Sequence, residues 1–593
     1  MKDALGPVRA QRGCDLGSRL RALEGAPYPA YRDLRGRYGL EPGGLEILHV
    51  QPDPFAPPSR LRVRVPLEAT GLVSVGYCSE RTLATEDFLA RAIERWLHAH
   101  RDVGAVVRID PSVQQILRRT AVRLRPTEVE LLLSADLPAR GRRIEGRRAA
   151  IALAEGLPRM VRETILRGSW DAAALARHCA CVEDHAALTG ILGERGWVAF
   201  IADGTRLARR SGEDDTPLAE GNVPFVAPPE LAAEVVLPNA GRIRGTAVPA
   251  GITLLCGGGF HGKSTLLRAL AVAVYPHIPG DGRERIATEP TAMAIRAEDG
   301  RAITHVDLGV FIGALPNGKD VNAFGTNNAS GSTSQAASIL EALAVGCRCL
   351  LIDEDTSATN FLLRDPWVAR LLRPEQEPII PLLSRVREIH EHFGASVILV
   401  VGGSGEAFRV ADRVIVMDSY RPQDASARVE EIRAAMGPGI VPPPASWATH
   451  SRDLPLRMLA ARGPRVRALG AKRLLVGRSE IDLSASGALV HPSQARALAT
   501  ILTDSLERRL ERACLPEIAL DAAARLEAEG PGVFSPAPRG DLAEVRVQEI
   551  AMLFDRLRWP SERAEDSGTQ GESRESDGLG VAGEHGTGTG FSG

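Results

Sequence analysis

The sequence predicts an α/β fold: a parallel-sheet core in the middle of the chain, an α+β domain before it, a smaller domain after it and a disordered tail. Two observations carry this. Short β-type runs at 252–255, 350–352, 397–401 and 414–417 alternate with polar loops and helical stretches, as strands buried on both faces of a sheet do. At 593 residues, with 44% hydrophobic and 25% charged, the chain has ample core material and is long enough for roughly two to four domains.

Along the chain, residues 1–160 mix apolar runs with turn signals at Pro52-Asp53-Pro54 and Pro57-Pro58-Ser59. Within them a helical stretch is expected over 85–100, where Phe88, Leu89, Ala92, Ile93, Trp96 and Leu97 recur at helix spacing and form a core-facing stripe. Residues 161–445 hold the sheet core, closed by a break at Pro438, Pro442, Pro443 and Pro444. Residues 446–560 form a third domain with an Arg-rich opening and a long helical pattern after Pro492. Residues 561–593 are rich in Gly, Ser, Glu and Thr without apolar periodicity, and read as a disordered tail.

A formal net charge of −2 gives no global electrostatic case for nucleic acid or acidic membranes, so any such partner needs a local patch. Lysine occurs only at Lys2, Lys263, Lys319 and Lys472; the other cations are arginine. Eight cysteines without CxxC pairs make no disulfide framework, and Cys347 and Cys349 in an apolar run read as buried thiols. His178, Cys179, Cys181 and His185 cluster, but at a spacing that matches no common metal site. No run approaches a membrane span and no apolar segment follows Met1-Lys2-Asp3-Ala4, so a cytoplasmic, reduced protein is expected.

The chemistry concentrates in Gly257, Gly258, Gly259, Phe260, His261, Gly262, Lys263, Ser264 and Thr265, which satisfy G-x-x-x-x-G-K-[ST] between an apolar strand and a helical run. Glycines let peptide N–H groups turn inward around phosphates, the helix N-terminus adds positive potential, and Lys263 neutralises the β and γ oxygens of ATP. The Ser264 hydroxyl is placed to ligate Mg2+. A second apolar strand ends in Asp353 and Glu354, which puts Asp353 on the magnesium shell and Glu354, as the catalytic carboxylate, beside the attacking water.

Ala329-Ser330-Gly331-Ser332-Thr333 resembles the ABC signature L-S-G-G-Q, and its distance ahead of Asp353 resembles the spacing in that superfamily. The run from Asp353 to Asn360 resembles D-E-P-T-S-A-L-D. The chain is more closely similar to the family of soluble, stand-alone ABC-class ATPases. Its hallmarks stand here at His49-Val50-Gln51 with Asp53-Pro54-Phe55-Ala56, at Leu137-Pro138-Ala139 with Gly141-Arg142, at 277–283, at 295–301, at Gly318-Lys319-Asp320, at 329–335, at 353–361 and at 402–405. The resemblance implies an ABC-type P-loop NTPase fold in which Ser330, Gly331 and Ser332 complete the γ-phosphate shell of a second subunit. Because one chain carries one copy of each motif, a homodimer with ATP at the shared interface is the economical way to build complete sites.

Three departures qualify the resemblance. Gly402-Gly403-Ser404 follows the strand ending at Val401, where ABC proteins usually place a switch histidine, and Ser404 cannot carry positive charge to the γ-phosphate, which implies slow turnover. Residues 226–256 contain no aromatic ring to stack on adenine. No Q-loop glutamine stands out, although His305 and Asp307 lie in its interval. Two readings of the work done by ATP remain open. One couples the cycle to nucleic acid, RNA foremost, through Arg452, Arg457, Arg462, Arg465, Arg467, Lys472, Arg473 and Arg478 and through a second basic stretch over 118–148; the resemblance also implies RNA handling. The other is an ATP-dependent protein switch or assembly factor. A transporter motor is a third, weaker reading that would need a separate membrane subunit.

Overall fold

The computed structural model describes residues 15–559, apart from 73–77, 316, 317, 319, 366, 367, 369, 370, 372–375, 437–441, 448–451 and 509–513. Lys319, Pro438 and the tail expected over 561–593 lie outside these residues.

The centre is a six-stranded sheet built from β1 (Ile252–Cys256), β2 (Met293–Ile295), β3 (Cys349–Asp353), β4 (Ser396–Val400), β5 (Arg413–Asp418) and β6 (Arg421–Asp424). The order is β2-β3-β4-β1-β5-β6, parallel except for β6. The four apolar runs of the sequence are β1, β3, β4 and β5; every residue of β1 and β4 is buried, because helices cover both faces of a parallel sheet. Register sets the working edge. Leu255 of β1 and Asp353 of β3 both pair with Val400 of β4, so the segments leaving β1 and β3 emerge at the same level, one strand apart. At about 4.8 Å between strands, that is roughly 10 Å.

An antiparallel sheet of Ala232–Leu237, Gly241–Pro249, Trp197–Ala202 and Ile286–Thr288 lies beside this core. Before it runs helix α1 (Ala172–Arg195), whose Asp171 cap accepts from the N–H groups of Ala173 and Ala174 and whose end is Gly196 in the left-handed region at φ 64°. Leu175, Cys179 and Val182 of α1 pack into the N-terminal core, while Leu188 and Leu192 pack against the antiparallel sheet. Both helix histidines are engaged there: His178 Nε2 bonds Asp87 at 3.0 Å and His185 Nε2 bonds the Ala273 carbonyl at 3.0 Å. Among the described residues no group of three metal-ligating side chains comes together.

The N-terminal region is an antiparallel sheet ordered Gly36–Gly39, Gly44–His49, Ser59–Pro66, Glu128–Ala135, Val107–Arg108, with Val122–Leu124 also on Glu128–Ala135. Strand Ser59–Pro66 alternates buried and half-buried residues, which turns one face onto the core. The helix expected over 85–100 is Ser79–Ala99; Phe88, Leu89, Ile93, Trp96 and Leu97 of its apolar stripe are buried.

The C-terminal region has an antiparallel meander of Val466–Ala468, Arg473–Val476 and Ser479–Asp482, and helices Pro492–Glu507, Glu517–Glu529 and Val547–Asp555. His491 and Gln494 close a capping box on the first helix. Among the described residues no helix is long and apolar enough to cross a membrane. The thiols of Cys347 and Cys349 are buried, and burial pushes Cys347 up to about 12.

A buried charge network ties this region to helix α3 (Gly331–Ala344). Arg301 donates to Glu341 at 2.7 Å, Arg452 bonds Asp555 and lies 3.8 Å from Glu341, and Arg556 bonds Glu298. Burial, with Glu341 beside it, holds the Asp555 carboxyl above the ordinary range despite its guanidinium neighbours. Arg452, read from the sequence as a surface cation, is thus a core residue. Arg452→Ala is expected to leave two buried carboxylates short of a partner and to destabilise by about 3 to 5 kcal/mol, read as a Tm drop of several degrees by calorimetry. An unshifted Tm would mean that the network does not depend on it.

Candidate functional site

The loop from β1 to helix α2 (Lys263–Val272) is shaped by residues that only glycine suits. Gly257 has φ 135°, and a Cβ there would stand 2.3 Å from the Met417 carbonyl oxygen of the neighbouring strand. Gly262, at φ 97°, caps α2. The Lys263 ammonium spans the loop, donating to the Gly257 and Gly258 carbonyls at 2.8 Å each and keeping its third donor for a ligand. Ser264 and Thr265 follow, half-buried in the first turn of α2, so peptide N–H groups, an ammonium and a hydroxyl converge at one helix N-terminus. Gly258 and Gly259 are exposed in the loop. Phe260 stands 98% exposed at φ 63°, and His261 Nδ1 accepts from Ser419 N at 2.9 Å.

Asp353 closes β3, and its Oδ1 accepts from the N–H of Asp355 at 3.2 Å. The Glu354 carboxylate oxygen Oε2 accepts from the peptide N–H groups of Gly402 and, at 3.2 Å, Gly403. These two peptides hold Oε2, and among the described residues no hydrogen bond engages Oε1. Ser404 is turned elsewhere: its hydroxyl accepts from Glu406 N at 3.3 Å and caps the turn Gly405–Arg409. Sequence reading attended to side chains at 402–404 and missed this peptide pair; the double glycine directly after a strand was the signal.

Ser330 is the exposed cap of α3, its hydroxyl 2.9 Å from that of Thr333. Gly331 is half-buried, and Ser332 is 9% exposed and receives Asn360 Nδ2 at 3.5 Å. Gln335, fully buried, clamps the segment after Glu354: it donates to Ser357 Oγ at 2.8 Å and accepts from Ala358 N at 2.9 Å. The loop 257–265 and the carboxylates therefore share one sheet edge, while the segment of Ser330, Gly331 and Ser332 is tied to residues 357–360 through Ser332 and Gln335 instead. Among the described residues no hydrogen bond joins 329–335 to 257–265. His305 is exposed in the left-handed region at φ 50°.

The basic stretches divide. In the one over 118–148, Arg118 donates to the Leu526 and Glu527 carbonyls, Arg119 pairs with Asp87, Arg125 with Glu130 and Arg148 with Glu145, so much of this charge is spent on the protein itself. Burial and the guanidiniums of Arg296 and Arg268 hold the Lys472 ammonium below its ordinary pKa, and Arg473 pairs with Glu480 at 3.1 Å. Arg462, Arg465, Arg467 and Arg478 are exposed.

Comparison with known proteins agrees with this architecture. Residues 171–451 match the ABC-ATPase P-loop domain, residues 14–168 the N-terminal domain of ATPases of the ABC class, and residues 465–561 the MRB1590 C-terminal domain. The uncharacterized protein MJ1628 of Methanocaldococcus jannaschii is 30% identical over 247 residues, 39% of this chain and 52% of its own length, so the match spans about half of that relative. Among solved structures, cbiO1 from Clostridium perfringens, part of the ABC transporter complex cbiONQ, is similar at 13% identity and a TM-score of 0.25, over 40% of this chain and 93% of its own. MJ1267, an ATP-binding cassette of an ABC transporter in its ADP conformation, is similar at 13% identity and a TM-score of 0.23, over 32% and 87%. Likenesses that low leave the assignment to the domain matches. With two ABC-class domains lying end to end over 14–168 and 171–451, the chain belongs to the family of stand-alone ABC-class ATPases.

Proposed function

We propose that this chain binds ATP with Mg2+ and hydrolyses it slowly, in the cytosol, as a homodimer with nucleotide at the shared interface, and that the cycle governs contact with nucleic acid, RNA foremost. The observation that carries the ATP reading is the common edge of the central sheet, where Lys263 and the α2 N-terminus stand one strand away from Asp353 and Glu354. Asp353 and Ser264 would hold Mg2+, since one carboxylate and one hydroxyl completed by phosphate oxygens is the donor set that ion takes. When bound, it would draw charge from the β and γ oxygens. Glu354 Oε1 is left to accept a proton from the attacking water while Gly402 and Gly403 steer the carboxylate. Slow turnover follows from Ser404, which is occupied in capping a turn and supplies neither proton nor charge.

Two features support the dimer and the reduced compartment. The exposed Ser330 cap of the 14-residue α3 offers a second copy a helix N-terminus for its γ-phosphate, so ATP should tighten the pairing. The seven described cysteines are free thiols. For RNA the support is the exposed Arg462, Arg465, Arg467 and Arg478 on and beside the C-terminal meander. The competing protein-switch reading is favoured by the charge network, which joins α3 to the C-terminal helix and would pass movement between them.

ATPase activity measured with and without RNA at two salt concentrations separates the two. If arginines neutralise phosphates, RNA affinity falls linearly in log salt with a slope of about 0.7 per contact for single strands. Replacing Arg465, Arg467 and Arg478 by Gln should flatten that slope by roughly two units while ATP binding survives. An unaltered slope, or no RNA binding at low salt, would favour the protein switch.

A further inference from the structure

We propose that the Tyr420 ring is the platform on which the base of the bound nucleotide stacks. This deepens, and rests on, the reading that the loop 257–265 binds ATP. Asp418 of β5 pairs with Arg421 of β6, so the hairpin between them turns on two residues, Ser419 and Tyr420. Both are left-handed, at φ 49° and 69°. Such a turn ordinarily takes Asn-Gly or Asp-Gly, and an aromatic residue in it is costly, a kind of strain that persists where the surroundings impose it and that clusters at ligand sites.

The surroundings here are the phosphate loop itself. The N–H of Ser419 donates to His261 Nδ1 at 2.9 Å, and the Ser419 hydroxyl bonds Asp418 at 3.0 Å. The Tyr420 ring lies so close to the residue before Lys263 that a Cβ on Gly262 would meet ring carbon Cδ1 at 3.0 Å and Cε1 at 3.7 Å. One side of the ring is thus braced by loop backbone, yet the residue is 50% exposed. A nucleotide whose phosphates are anchored at the start of α2 must direct its sugar and base out of the loop onto a neighbouring surface. Residues 226–256, the strands leading into the loop, hold no aromatic side chain, and Tyr420 supplies a braced π-face in their stead. Phe260 is the other ring at the loop, but at 98% exposure it has no such backing. Because every base has a π-face, this platform accepts ATP and GTP alike.

The test compares ATP, GTP and inorganic tripolyphosphate by calorimetry on the full chain and its variants. Wild type should bind ATP and GTP within a fewfold of each other and both more tightly than tripolyphosphate. Tyr420→Ala should weaken ATP by about tenfold or more and leave tripolyphosphate unchanged, as expected for loss of base stacking alone. Tyr420→Phe should keep wild-type affinity. Equal losses for ATP and tripolyphosphate in Tyr420→Ala would make the ring a brace of the loop and overturn the proposal, as would an unchanged ATP affinity. A wild-type chain that binds none of the three ligands would overturn the ATP reading itself, an outcome distinct from a failure confined to Tyr420.

Discussion

Lys263→Ala is expected to abolish tight ATP binding. The ammonium is the compact positive charge closest to the site of the β and γ phosphates, and the two carbonyls that hold it, Gly257 and Gly258, fix it across the loop. Its removal takes away charge-assisted hydrogen bonds to phosphate together with the tie between the two ends of the loop, a loss of roughly 3 kcal/mol or more, which weakens affinity at least a hundredfold. Lys263→Arg should not restore it, because a planar fork cannot occupy the position of a point charge between two carbonyls. Calorimetric titration with ATP, alongside a melting curve showing that the variant is folded, measures the effect. Unchanged affinity in a folded variant would remove this loop from nucleotide binding.

Glu354→Gln is expected to leave ATP bound and uncleaved. The amide keeps the shape of the carboxylate, and its carbonyl oxygen still accepts from the N–H groups of Gly402 and Gly403, so the loop after β4 stays in place. What is lost is the ability to take a proton from water, a loss of about 10² to 10⁴ in turnover. The variant should elute with nucleotide as a dimer in size-exclusion chromatography and as a monomer without it. Wild-type turnover in Glu354→Gln would exclude this carboxylate as the base, and a monomer in saturating ATP would sink the shared-interface reading.

The central sheet and its phosphate loop were legible in the sequence because both write their physics into consecutive residues. A strand buried on both faces is an uninterrupted apolar run, as at Ile398 and Leu399, and a phosphate cradle needs glycine, lysine and serine at fixed offsets. Strand β2 was not legible, since three residues, Met293–Ile295, are too short to make a pattern. The hold on Glu354 was only half legible: the double glycine after β4 signals backbone open to close approach, but peptide N–H groups are the same in every residue, so Gly402 and Gly403 do not name the carboxylate they bond. The arginines misled most. A basic run in one dimension cannot reveal that Asp87 will pair with Arg119 or that Asp555 will meet Arg452, because those carboxylates arrive from distant segments. Tyr420 was invisible as a site residue for the same cause, since its contact with Gly262 joins positions far apart in the chain.

The charge network beneath α3 bears on modularity. Glu298, Arg301 and Glu341 come from the sheet core, whereas Arg452, Asp555 and Arg556 come from the C-terminal region, and neither set is neutralised without the other. The two regions therefore cannot be exchanged between relatives or separated as building blocks unless the matching half of the network travels with them. A lone substitution on either side would strand a buried charge, so changes at these six positions should be inherited in concert. At this seam the P-loop region and the C-terminal region are thus joined by buried charge as well as by the chain that connects them.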